Sequence, residues 1–243
     1  MTLINITKRD AQDKASKSEN DKLRRFIEKG DHIEEFSPMA PPDEYDPPCG
    51  GLNIEYQDLH PMLQALVDDH EEVRKELGDF EAALTKIRTD GPSDAVNDDL
   101  NHFFEFLNTV VFNHNRLEEK TLFPLLGERM LESGEHSIGA KPITAADVLT
   151  NEHLDFLQLA AVMTNFFRLA PCLPEENSRY YVLDAAIRQA LELIKQLKLH
   201  MFREDKVVFP LAHQLITQEE FDAIHQKNSL NGKTGGGVEV SDT

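Results

Sequence analysis

Two stretches of the chain repeat one another without a gap. One reads His-Asn-Arg-Leu-Glu-Glu-Lys-Thr-Leu-Phe-Pro from His114 to Pro124, the other His-Met-Phe-Arg-Glu-Asp-Lys-Val-Val-Phe-Pro from His200 to Pro210. His, Glu, Lys, Phe and Pro recur at the same offsets, and Glu119 aligns with Asp205. Residues four apart on a helix stand about 40° apart on one face. His114 with Glu118, and His200 with Glu204, therefore each present an imidazole beside a carboxylate. Leu107 and Val111 precede His114, and Leu193 and Leu197 precede His200, at spacings that continue an inward-facing apolar stripe. Both pairs should point into a core.

Two further histidines match them. His70 lies in Asp68-Asp69-His70-Glu71-Glu72-Val73, with Leu66, Val67, Val73 and Leu77 on its face. His153 lies in Asn151-Glu152-His153-Leu154, with Leu149 and Leu157 as stripe neighbours. Chain reversal between helices can bring each single histidine beside a His-x-x-x-Glu pair, giving two half-sites related by a pseudo-twofold. Four imidazoles and two carboxylates suit two divalent first-row metals. Imidazole suits Fe, Zn, Cu and Ni, and carboxylates suit harder ions such as Mn, so iron is the natural compromise; manganese or zinc could satisfy the same set. A glutamate can bridge two ions, as in the carboxylate-rich sites of helical bundles. Coordination would also remove the cost of burying an unpaired carboxylate.

The elements that must position these residues are helical. Apolar periodicity predicts helices from about Leu59 to Arg88, Ser93 to Thr121, Thr144 to Leu169 and Glu176 to Val207. Asp90-Gly91-Pro92 and Pro171-Cys172-Leu173-Pro174 separate them, and a loop near 132–142 carries Gly134 and Gly139. Thr144 is a candidate N-cap, and Thr217 with Glu220 forms a capping-box pattern opening a short last helix. The expected fold is all-α: an antiparallel up-down-up-down four-helix bundle over residues 53–230. It is preceded by an arm over 1–52 and followed by a Gly-rich tail over 231–243. The arm is dense in charge over residues 7–24, has room for a short helix near 19–29, and then carries Pro38, Pro41, Pro42, Pro47 and Pro48.

At these residues the sequence resembles the hemerythrin-like, or HHE cation-binding, family, over about residues 57–213. The two His-x-x-x-Glu…Phe-Pro motifs and the single histidines His70 and His153 carry the resemblance. It implies an antiparallel four-helix bundle with a non-haem di-iron centre. His70, His114, His153 and His200 would be terminal ligands, and Glu118 and Glu204 would bridge the irons. The sequence departs from oxygen-carrying hemerythrin, whose third helix has two histidines four apart; here Leu157 stands four after His153. The set is more similar to family members that repair iron–sulfur centres after nitrosative or oxidative stress. Those often carry a Cys-Cys-Gly-Gly motif; Pro48-Cys49-Gly50-Gly51 has one cysteine and reads as a turn.

Composition sets the frame. The chain has 243 residues, 44 Asp and Glu against 25 Lys and Arg, and a net charge of -19, which repels phosphate backbones and argues against nucleic acid. The two cysteines, Cys49 and Cys172, form no CxxC, which excludes a disulfide framework and an all-cysteine zinc site. Residues Met1 to Asp10 lack an apolar stretch, and no apolar run approaches about 20 residues, so the expected location is the cytoplasm, away from membranes. Off the ligand faces, His60 and His102 are expected at the surface, His136 in the loop, and His32, His213 and His225 belong to no constellation. Glu119 and Asp205 could orient the ligands as acceptors. Pro124 and Pro210 should end or kink their helices. The leading functional expectation is a di-iron protein that binds or senses oxygen, nitric oxide, peroxide or iron itself. One alternative is a stress-response enzyme or repair factor that reduces nitric oxide or peroxide with a reductase partner, or supplies iron to damaged iron–sulfur centres. The other is a helical bundle with no metal.

Overall fold

The computed structural model describes residues 54–138 and 140–224. Every regular element among them is helical. A 3-10 turn, Tyr56–Asp58, leads into α1, Pro61–Asp90. The start of α1 is set by His60, whose Nδ1 accepts the N–H of Met62 at 3.1 Å, and by Pro61, which needs no N–H in the first turn. His60 is thus buried rather than at the surface, and its ring stacks on Phe221 at 4.4 Å. A histidine off the ligand face still has a place when the helix begins inside the protein. Gly91, with φ of 84°, stops α1 in a conformation that favours glycine.

Ser93 caps α2, Asp94–Phe106, its hydroxyl accepting the N–H of Val96 at 3.3 Å. The chain then widens into a π-helical turn, Leu107–Val111, where the β-branched run Thr109, Val110, Val111 crowds a regular turn. It continues as α3, Phe112–Lys120, breaks at Thr121, and resumes as α4, Leu122–Ser133. The single helix expected to end near Thr121 is thus interrupted twice and prolonged. Helix α5, Ala145–Leu169, begins with a capping box in which Thr144 and Asp147 exchange hydrogen bonds. A 3-10 turn, Ala170–Cys172, follows it. Helix α6, Glu176–Arg203, opens into a second π turn, Glu204–Val208, and closes as α7, Phe209–Leu215.

Pro124 and Pro210 explain the late breaks. A proline ring collides with the carbonyl four residues back and offers no N–H to it. Both prolines sit in the first turn of the resumed helix, so each kinks its helix without ending it. Residues 218–224 are helical, opened by the expected box: Thr217 N–H to Glu220 at 2.8 Å and Glu220 N–H to Thr217 Oγ1 at 3.4 Å.

Helix α5 packs along α6, α1 along α2 and α6, and α4 against α5 and α7. The apolar side chains form two cores. One is built from α2, the far part of α1, and the facing lengths of α5 and α6, around Phe80, Phe103, Phe156 and Phe167. The other gathers the start of α1, α4, the start of α5 and residues 208–221 around Leu63, Leu126, Phe209 and Phe221. No helix among the described residues is long and apolar enough to cross a membrane. The expectations for the arm, its short helix and Cys49, and for the tail, fall outside the described residues, as do His32 and His225.

Candidate metal centre

Between the two cores lies a polar layer. Each of its histidines stands where its helix passes from one core to the other. His70 falls between Leu66 and Val73, and His114 between Val111 and Leu122. His153 falls between Leu149 and Phe156, and His200 between Leu197 and Val208. His70, His114, His153, His200, Glu118 and Glu204 are all buried, and both glutamates are 0% exposed. The structure brings all six sequence-identified residues together in two overlapping groups. His70, His114, Glu118 and Glu204 form one; His153, His200, Glu118 and Glu204 form the other.

The contacts cross the layer in a regular way. His70 Nε2 lies 3.2 Å from His114 Nε2, and His153 Nε2 lies 3.0 Å from His200 Nε2. Glu118 approaches His114 at 3.5 Å with one oxygen and His153 at 3.7 Å with the other. Glu204 approaches His200 at 3.1 Å and His70 at 3.2 Å in the same way. Each carboxylate therefore faces both histidine pairs.

The outer nitrogen of every ring is engaged. The Nδ1–H of His70 donates to Asp205 at 2.7 Å, of His114 to Asp69 at 3.0 Å, of His153 to Glu119 at 2.8 Å and of His200 to Glu152 at 2.9 Å. The pattern obeys the pseudo-twofold. The acid before each single histidine holds the paired histidine, and the acid after each glutamate holds the single histidine of another helix. Glu119 and Asp205 were legible as candidates; Asp69 and Glu152 were not, although each directly precedes a ligand-type histidine in the sequence. Arg74 grips Asp205 and Arg203 grips Glu152. The phenylalanine of each motif completes the frame: Phe123 stacks on His153 at 5.7 Å, and Phe209 on His70 at 5.6 Å.

Electrostatics within the layer are divided. Burial opposes charge on His114, but Glu118 and the bond to Asp69 outweigh it and push its pKa up to about 10. Burial, opposed by Glu204 and Glu152, leaves His200 up at about 9. For His153 burial wins, helped by the neighbouring His200 charge, and its pKa falls to about 4. Burial and the charge of Glu204 raise Glu118, whereas the His200 charge overcomes burial and holds Glu204 below the usual carboxylate range.

The donor set fits metal ions. All four carboxylate oxygens of Glu118 and Glu204 are buried and lack a hydrogen-bond partner among the described residues; the histidine approaches are charge contacts. A neutral ring that gives its Nδ1–H to an acid leaves Nε2 as a lone pair. Each Nε2 pair, 3.2 and 3.0 Å apart, is joined by a proton on one ring of the metal-free chain, and a metal ion could take that proton's place.

The remaining candidates lie elsewhere. His102 is exposed and pairs with Glu76 at 3.0 Å, as expected of a surface group. His136 is exposed in the loop, and Cys172 is a free, exposed thiol. Leu157, expected on the inward stripe with His153, is instead 46% exposed, whereas Leu149 is buried. The model of the hemerythrin HHE cation-binding domain matches residues 61–212. No curated protein sequence matches the chain.

Proposed function

Because the chain belongs to the hemerythrin HHE cation-binding family, we propose that its polar layer holds two iron ions and binds a small ligand such as oxygen, nitric oxide or peroxide. In this reading the long helices form an antiparallel four-helix bundle, and the four histidines are terminal ligands. Glu118 and Glu204 bridge the ions. The observation that carries the reading is the orphaned state of the four carboxylate oxygens, each glutamate facing both histidine pairs. Buried carboxylate oxygens that lack hydrogen bonds are costly to a core, and coordination to metal would satisfy them.

Bound in this layer, iron would supply redox capacity and coordination positions for the small ligand. The protein's own part is to orient and to exclude. Asp69, Glu119, Glu152 and Asp205 fix the imidazoles with Nε2 inward, and such acids raise ligand basicity. Phe123, Phe156 and Phe209 pack against the rings and keep bulk water from the ligand side. The exposed Leu157, where oxygen carriers have a fifth histidine, favours a centre with more positions open to ligands, of the repair-type kind. A reductase partner would be needed for turnover and not for reversible binding.

The test is metal content per chain on protein from iron-supplemented cells, with the optical spectrum recorded before and after oxygen and nitric oxide. Two irons per chain with ligand-sensitive bands are expected. A chain that takes up no metal, even after anaerobic addition of iron, would leave only a helical protein with a buried polar layer.

A further inference from the structure

Asn115 is a buried polar group that the metal-centre reading does not use. It follows His114 on α3, is only 6% exposed, and its Nδ2 finds no acceptor among the described residues. That is unusual within this protein. Asn101, Asn108, Asn113, Asn151 and Asn165 each give Nδ2 to the backbone carbonyl four residues back, at 2.6–2.9 Å. Asn115 stands on the same kind of helical backbone and makes no such bond. The repeat supplies an internal control: the aligned residue on α6 is Met201, which is buried and apolar. An apolar side chain therefore satisfies this position in packing terms, and an unpaired buried amide is a net loss to folding, on general grounds about 1–3 kcal/mol.

The place of the amide indicates what it serves. At about 100° per residue, Asn115 lies about 40° from Glu119 and about 60° from Glu118 around α3. It is thus flanked by the glutamate that faces both histidine pairs and by the acid that holds His153 of α5. It is the neutral donor on the α3 wall of the layer. The other donors there are already given to acids, and the remaining inward atoms, Nε2 and Oε, are those assigned to metal.

We infer that Asn115 donates a hydrogen bond to a small ligand carrying an oxygen or nitrogen acceptor, bound in the polar layer on the side of α3 that faces α5. This rests on the proposed reading of the layer as a metal centre open to small ligands. Met201 offers no donor on the matching side of α6, so the ligand is held asymmetrically in an otherwise pseudo-symmetric site. Asn115 acts as a specificity residue: it favours ligands with an exposed lone pair over apolar ones of the same size.

Azide, a small anion with acceptor nitrogens, is the probe, used on the iron-loaded full chain. Asn115→Met copies the other half of the repeat, and Asn115→Leu keeps the shape of the amide without its N–H. Both are expected to hold the wild-type amount of iron and to bind azide about tenfold more weakly. In wild type the stretching frequency of bound azide should shift on exchange into D2O, and the shift should vanish in both variants. Metal-free Asn115→Met should melt above metal-free wild type, because the unpaired amide is gone. Unchanged azide affinity with a retained D2O shift, in whichever variant folds, overturns the role of Asn115 alone. So does a lower melting temperature of the metal-free Met variant, which would show that the amide has a structural partner. Iron-loaded wild type that takes no azide overturns the ligand-binding reading as well.

Discussion

His114 and Glu118 stand on α3, a nine-residue helix with a π turn before it and a break at Thr121 after it, whereas His200 sits near the end of the 28-residue α6. The difference extends to the supports. On the α6 side, Asp205 and Glu152 are each gripped by an arginine, Arg74 and Arg203. On the α3 side, Asp69 is 48% and Glu119 38% exposed, and neither is gripped by an arginine or lysine among the described residues. The repeated residue types thus place the same atoms in the layer with different supports, although Glu204 too lies in a π turn. A repeat conserves chemistry at fixed offsets, but the helix around it and the groups across the interface decide how firmly that chemistry is held.

Three experiments bear on this comparison. The largest effect is expected from Glu118→Ala and Glu204→Ala. Each glutamate faces both histidine pairs, so each variant should lose at least one metal per chain, measured by elemental analysis, while circular dichroism stays helical. Full metal retention in either variant would break the equivalence of the two copies and the bridging assignment with it. The next effect concerns the stacked phenylalanines. Phe209 is fully enclosed, whereas Phe123 borders a surface cleft of about 440 Å³ that it shares with Glu119, Thr144 and Asp147. Phe209→Ala should cost about 4 kcal/mol in denaturant unfolding of the metal-free protein, and Phe123→Ala about 3 kcal/mol, because the open site relaxes. The reverse order would show that the α3 copy is the stiffer one. The smallest effect separates the supports. Asp205→Asn should weaken metal binding about 100-fold and Asp69→Asn about tenfold, in competition with a chelator. Equal losses would mean that the arginine grip adds nothing to the hold on the histidine.

Much of this protein is readable along one strand of text. The helices begin and end near the expected residues wherever a local signal exists: Gly91, Ser93, Thr144 with Asp147, and Thr217 with Glu220. The His-x-x-x-Glu spacing is also local, since residues four apart must share a helical face. The reading went astray where a residue serves two elements. His60 lies off the ligand face and so reads as a surface group, but its capping and stacking roles depend on Met62 and on the distant Phe221. Pro124 and Pro210 announced breaks, but that the helices resume beyond them follows from Leu126, Phe209 and Ala212 having a second core to fill.

The sequence by itself determined the helices, the inward faces and the six residues with metal-binding chemistry, because backbone geometry and side-chain period act over a few residues. Tertiary structure alone decided which oxygen faces which nitrogen, which acid holds which imidazole, and that Asn115 Nδ2 is buried without an acceptor among the described residues. Those facts depend on the rotation and register of one helix against another. That is set by the two apolar cores above and below the polar layer, whose packing is summed over the whole chain.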